Sequence, residues 1–106
     1  MARNATPPGT ENVLFDLGFE DAEELSAKAL LAFKINELVD RRHLKQSQVA
    51  DLIGMSQPKV SHIRNYKLLN ISLERLMIAL VSLDQHVEIS VRPARRSLGP
   101  GISVST

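Results

Sequence analysis

The 106-residue chain contains no cysteine, so neither a disulfide framework nor a thiolate metal site can be built from it. No apolar run approaches the roughly 18 residues needed to span a bilayer. The N-terminus lacks the basic-then-apolar pattern of a secretory signal, and a cytoplasmic location with no membrane contact is the expectation. Signatures of catalysis are missing too: there is no Gly-rich phosphate loop, no His-Glu-x-x-His and no Gly-x-Ser-x-Gly. The three histidines, His43, His62 and His86, do not have the spacing of metal ligands, and each reads as a surface residue. Ser61 and His62 adjoin in sequence, and adjacent helical residues do not face each other, so they form no nucleophile–base pair. These absences argue against an enzyme, and no cofactor or metal is expected.

What is present is an uneven distribution of charge. Residues 1–40 hold three basic and eight acidic groups, a net −5, whereas residues 41–106 hold ten basic and four acidic, a net +6. Arg41, Arg42, Lys45, Lys59, Arg64 and Lys67 gather within one stretch with only Asp51 against them. A solvated basic face is the ordinary meaning of such a run. Here the run coincides with a second pattern, and the coincidence favours a phosphate-binding footprint.

That pattern is residues 46–65, two short amphipathic stretches around Gly54. Val49 and Ile53 lie at i and i+4 on one helix face, and Val60 and Ile63 at i and i+3 on the next. Ala50 falls where two helices would cross. Gly54 can take positive φ and stop the first helix, and Met55 supplies an apolar plug for the turn. Ser56 can cap the second helix, and Pro58 falls in its first turn, where a missing N–H does little harm. An ordinary helical hairpin would satisfy these apolar positions equally well. The tight spacing of Ala50, Gly54, Val60 and Ile63 and the polar outward set Gln57, Lys59, Ser61, His62 and Asn65 favour a helix-turn-helix that reads DNA.

Residues 44–50 (Leu-Lys-Gln-Ser-Gln-Val-Ala) resemble the opening Leu-Thr-Gln-x-x-Leu-Ala of the phage-repressor, or Xre-like, helix-turn-helix family. Gly54-Met55-Ser56 is similar to that family's Gly-Val-Ser turn. Wider similarity, over about residues 11 to 92, resembles the HigA-type antitoxin branch. It runs from the apolar residues 12–19 through Ser72-Leu-Glu-Arg-Leu76 to residues 87–91. The resemblance implies that Gln46 clamps a phosphate, with Arg42, Lys45 and the helix dipole beside it. It also implies a ribonuclease toxin as a partner, for which the acidic residues 11–40 offer a docking face. The sequence departs from the family at Lys45, where a capping threonine is usual; Ser47 is the available substitute.

The remainder organises around this unit. Residues 1–10 and 94–106 read as disordered tails, and 11–93 as one DNA-binding domain. Residues 12–19 form a short apolar segment. Asp21 with Glu24 gives a capping-box pattern opening a helix to about Arg41, whose apolar face includes Leu25, Ala29, Ala32, Phe33, Ile35 and Val39. Residues 66–71 are a linker to a cap at Ser72. A helix to about Leu83 follows, with Leu76, Met77, Leu80 and Val81 apolar. Val87, Ile89 and Val91 then alternate with Glu88, Ser90 and Arg92, the period of a strand, and Pro93 ends it. A lone strand has no partner within the chain. It either lies along its own helices or pairs with the same strand of a second copy about a two-fold axis, and the second reading is preferred.

The expected fold is therefore all-α: a bundle of about four to five helices containing a helix-turn-helix, plus one short C-terminal β-strand pairing across a dimer. The expected function is a dimeric repressor on palindromic double-stranded DNA, and by resemblance the antitoxin of a toxin–antitoxin pair. A solitary Xre-like regulator and a mainly protein-binding module are the alternatives.

Overall fold

The computed structural model of the chain describes residues 19–96 and 99–106. Four helices appear among them: α1 Phe19–Arg41, α2 Gln46–Ile53, α3 Gln57–Arg64 and α4 Leu73–Ser82. The expected tail over residues 1–10 and the apolar segment up to residue 18 lie outside the described residues. Helix α1 packs against α4 and α3, and α2 packs against α3 and α4. All four helices thus share one core.

Helix α1, about 35 Å long at 1.5 Å per residue, lays Ala27, Leu31, Ile35, Leu38 and Val39 into that core. Phe33 does not join them and is 56% exposed. It lies two positions from both Leu31 and Ile35, which on a 3.6-residue period is the opposite side of the helix. The helix also runs through Asp21, so Asp21 does not mark its start. Glu24 instead approaches the buried Lys28, with 3.6 Å between Oε2 and Nζ.

The ends of the shorter helices follow local chemistry. Gly54 stops α2 with φ 69° and donates its N–H to Ala50 O. The buried Met55 donates to the same carbonyl at 3.1 Å. Ser56 and Ser72 sit at the N-caps of α3 and α4, where their hydroxyls accept from Lys59 N at 3.4 Å and Arg75 N at 3.1 Å. Lys45 holds the N-cap of α2 but has no acceptor on its side chain, and makes no side-chain cap bond. The reciprocal contact is present: Gln48 Oε1 accepts the Lys45 N–H at 2.8 Å. Gln48 thus supplies its own half of a capping box, and the half a threonine hydroxyl would give is absent from the N-cap.

Helix α4 buries Leu76, Ala79 and Leu80, with Leu83 following at its C-cap. Val81 is 55% exposed, against expectation, because it lies five residues from Leu76 and two from both Ala79 and Leu83. Beyond Asp84 the described residues form neither helix nor strand. Val87 packs against the core, while Ile89 and Val91 are 75% and 91% exposed. The chain returns to α1 near its other end. Ile102 donates its N–H to Glu23 Oε1 at 3.3 Å, and Val104 rests half-buried on the core. No helix among the described residues is long and apolar enough to cross a membrane.

Candidate nucleic-acid interface

Helix α3 divides sharply into two faces. Val60 and Ile63 are each 1% exposed and anchor the helix in the core. Gln57, Lys59 and His62 project into solvent on its other side. Ser61 is half-buried, and Asn65 is turned back on the helix: its Nδ2 donates to Ser61 O at 3.0 Å and to Ser61 Oγ at 3.4 Å. Of the outward set expected from sequence, Gln57, Lys59 and His62 are the ones left with their polar groups directed outward. Asn65 finishes the helix.

The N-terminal end of α2 offers a second feature. The first intrahelical bond runs from Val49 N to Lys45 O at 2.9 Å, so the amides of Gln46, Ser47 and Gln48 precede the ladder and give this end positive character. The Lys45 and Gln46 side chains are exposed there, and nothing acidic stands in the first turn. An anion approaching this end meets backbone dipoles and an ammonium together.

Several cations that look available in the sequence are engaged. The Arg42 guanidinium donates to Leu83 O at 2.7 Å and lies 3.6 Å from Asp84 Oδ2, tying the end of α1 to the end of α4. Arg64 reaches α1, where Nη2 donates to Asp40 Oδ1 at 2.6 Å and Nη1 to Asn36 Oδ1 at 3.1 Å. Arg75 donates to Gly54 O at 3.3 Å. Arg42 and Arg75 meet the C-terminal ends of α4 and α2, where orphan carbonyls and the negative dipole end attract a cation, whereas Arg64 meets Asn36 and Asp40 within α1. Lys45, Lys59 and Lys67 remain exposed without an ion pair among the described residues.

Two further braces were not singled out in the sequence. The buried Asn36 donates Nδ2 to Ile63 O at 3.1 Å, and the buried Lys28 donates Nζ to Leu68 O at 3.2 Å, holding the linker before α4. Their signal was available: Lys28, Ala32 and Asn36 recur every four residues, so two polar residues stand on an apolar stripe. Buried polar groups must find partners, and these find backbone carbonyls of the α3 end and the linker.

Three acidic groups of the first forty residues are ion-paired among the described residues. Besides Glu24, Glu37 is paired with Lys34 at 3.1 Å and Arg41 at 3.4 Å, and Asp40 with Arg64. The hydrogen bond and charge of Lys34 hold the Glu37 carboxyl below its ordinary range, with Arg41 adding a smaller pull. Among the described residues no three His, Asp or Glu side chains gather as a metal site. His43, His62 and His86 are all exposed, and His86 Nε2 lies 3.6 Å from Glu88 Oε2.

Comparison with known proteins agrees with this geometry. Residues 13–92 match the family model described as "Helix-turn-helix domain". A solved structure provisionally named an XRE-family transcriptional regulator is 48% identical and superposes with a TM-score of 0.74, covering 81% of this chain and 98% of that one. No curated protein matches. With the family model spanning most of the chain and a relative of this identity sharing its fold, the protein belongs to the XRE-type helix-turn-helix family.

Proposed function

We propose that the chain is a sequence-specific DNA-binding repressor that acts as a dimer, with α3 as its reading helix. The observation that carries this is the division of α3, whose apolar residues are spent on the core while Gln57, Lys59 and His62 are presented outward. Helix α3 enters the major groove, with its N-terminal end nearest the bases. Gln57 is the principal base reader, because a carboxamide pairs bidentately with adenine. Lys59 and His62 contact bases or phosphates at its side, and Ser61 supports them. Lys45 and Gln46 clamp a phosphate at the positive end of α2. Arg42 lies next to that clamp and acts mainly by holding the α1–α4 corner behind it.

Dimerisation runs through Val87, Ile89 and Val91. The packing of Val87 on the core and the exposure of Ile89 and Val91 support this, because a segment of strand-like alternation outside any helix or strand of its own chain can be completed by an antiparallel copy of itself. Two reading helices would then address half-sites roughly 34 Å apart on a palindrome.

The antitoxin reading adds a partner. Leu30 and Phe33, 42% and 56% exposed, share the outer face of α1, with Glu37 one turn on. An apolar spot beside acidic residues suits a basic ribonuclease. The internal pairing of Glu24, Glu37 and Asp40 weakens that attraction, and a solitary regulator uses the same DNA-binding face without it.

Two substitutions separate reading from holding. Gln57→Ala should lose about 1–3 kcal/mol of discrimination at particular base pairs. Lys45→Ala should weaken all sequences alike and reduce the salt slope of the dimer by about two, one contact being lost from each subunit. Fluorescence anisotropy with a preferred and a scrambled duplex measures both. Equal loss of selectivity in the two variants overturns these roles.

A further inference from the structure

Arg64 is, with Lys59, one of the two basic side chains of α3 besides His62, and charge alone nominates it as a phosphate contact. Its geometry says otherwise. The guanidinium leaves the last turn of α3 away from the outward readers and meets one turn of α1. Nη1 donates to Asn36 O at 3.3 Å and to Asn36 Oδ1 at 3.1 Å, and Nη2 to Asp40 Oδ1 at 2.6 Å. Asn36 completes the arrangement, because its Nδ2 donates to Ile63 O in the same turn of α3. Asn36 is 7% exposed, so its amide is fixed by these partners and not by water.

We infer that Arg64, Asn36 and Asp40 form a lock that sets the angle of α3 against α1, making Arg64 a positioning residue for sequence readout and not a DNA contact. The inference rests on the DNA-reading role of α3 proposed above. An eight-residue helix is only about 12 Å long, so a small tilt at its locked C-terminal end displaces the readers near its N-terminal end. Base discrimination needs bidentate geometry, whereas a phosphate contact by a flexible lysine tolerates displacement. The lock therefore governs which sequences are preferred more than how many phosphates are touched. Arginine suits the task because its planar fork engages acceptors in two directions at once, which lysine cannot do.

The test uses the full chain with Arg64→Lys, Arg64→Gln and Asp40→Asn. Binding to a selected duplex and to a one-base variant is measured across salt concentrations, and circular dichroism confirms that each variant is folded. Discrimination should fall about tenfold in all three, with the double variant Arg64→Lys/Asp40→Asn no worse than either single, as for residues acting through one contact. The salt slope should stay at the wild-type value even in Arg64→Gln. Asp40→Asn is informative because removing an acidic group favours DNA electrostatically, so its loss of discrimination can arise only through position. A slope reduced by about two in Arg64→Gln, one contact from each subunit, but not in Arg64→Lys overturns the inference and makes Arg64 a phosphate contact. Unchanged discrimination in Asp40→Asn also overturns it. If the wild-type chain itself prefers no sequence, the DNA-reading role fails, and the lock with it.

Discussion

Raising the salt from 50 to 200 mM should weaken binding to a palindromic duplex by about a thousandfold, with a slope near −5 in log K against log salt. This value follows from which cations the fold leaves free. Six basic residues surround the helix-turn-helix, but Arg42 and Arg64 are committed to Leu83 O, Asp84, Asn36 and Asp40, and Arg41 pairs with Glu37. Lys45, Lys59 and Lys67 remain on each subunit. Two subunits then release about six counterions, each worth about 0.9 in slope. If every cation of the cluster met a phosphate, the slope would approach about −11, and a monomer using three lysines would give about −3. Titrations by anisotropy at several salt concentrations separate these cases. A slope near −11 would show that the arginine braces open on DNA, and one near −3 that the binding unit is a single chain.

The second large effect lies in the core. Leu76→Ala should destabilise the fold by about 2–5 kcal/mol, because the side chain is fully buried and its removal leaves a cavity as well as losing transfer energy. A domain of this size is stable by only about 5–15 kcal/mol, and each kcal/mol shifts the melting temperature by about 4–8 °C. A fall of about 8–40 °C in a thermal melt is expected. Val81→Ala on the same helix should cost less than about 0.5 kcal/mol, because the side chain already faces water. Equal losses would contradict the orientation of α4.

The contrast between Leu76 and Val81 shows what the sequence made legible. The helix-turn-helix was readable because its determinants are local: Gly54 adopts the positive φ its position requires, and Ser56 and Ser72 cap the helices that follow them. Facing was harder, since Phe33 and Val81 are apolar residues whose register puts them outside. The braces were hardest. Lys28 meets Leu68, Asn36 meets Ile63 and Arg42 meets Leu83 across separations of 40, 27 and 41 residues. Periodicity says that a residue is buried but does not name its partner. The same limit applied to the basic cluster, in which braces and phosphate contacts carry the same charge.

Selection from randomised duplex DNA by the wild-type chain tests the central claim most directly. The account predicts enrichment of an inverted repeat with half-site centres about one helical turn apart, roughly 10 base pairs, and loss of preference at specific positions when Gln57→Ala is selected in parallel. Recovery of sequences no different from the starting pool would contradict the reading of α3 as a sequence-reading helix.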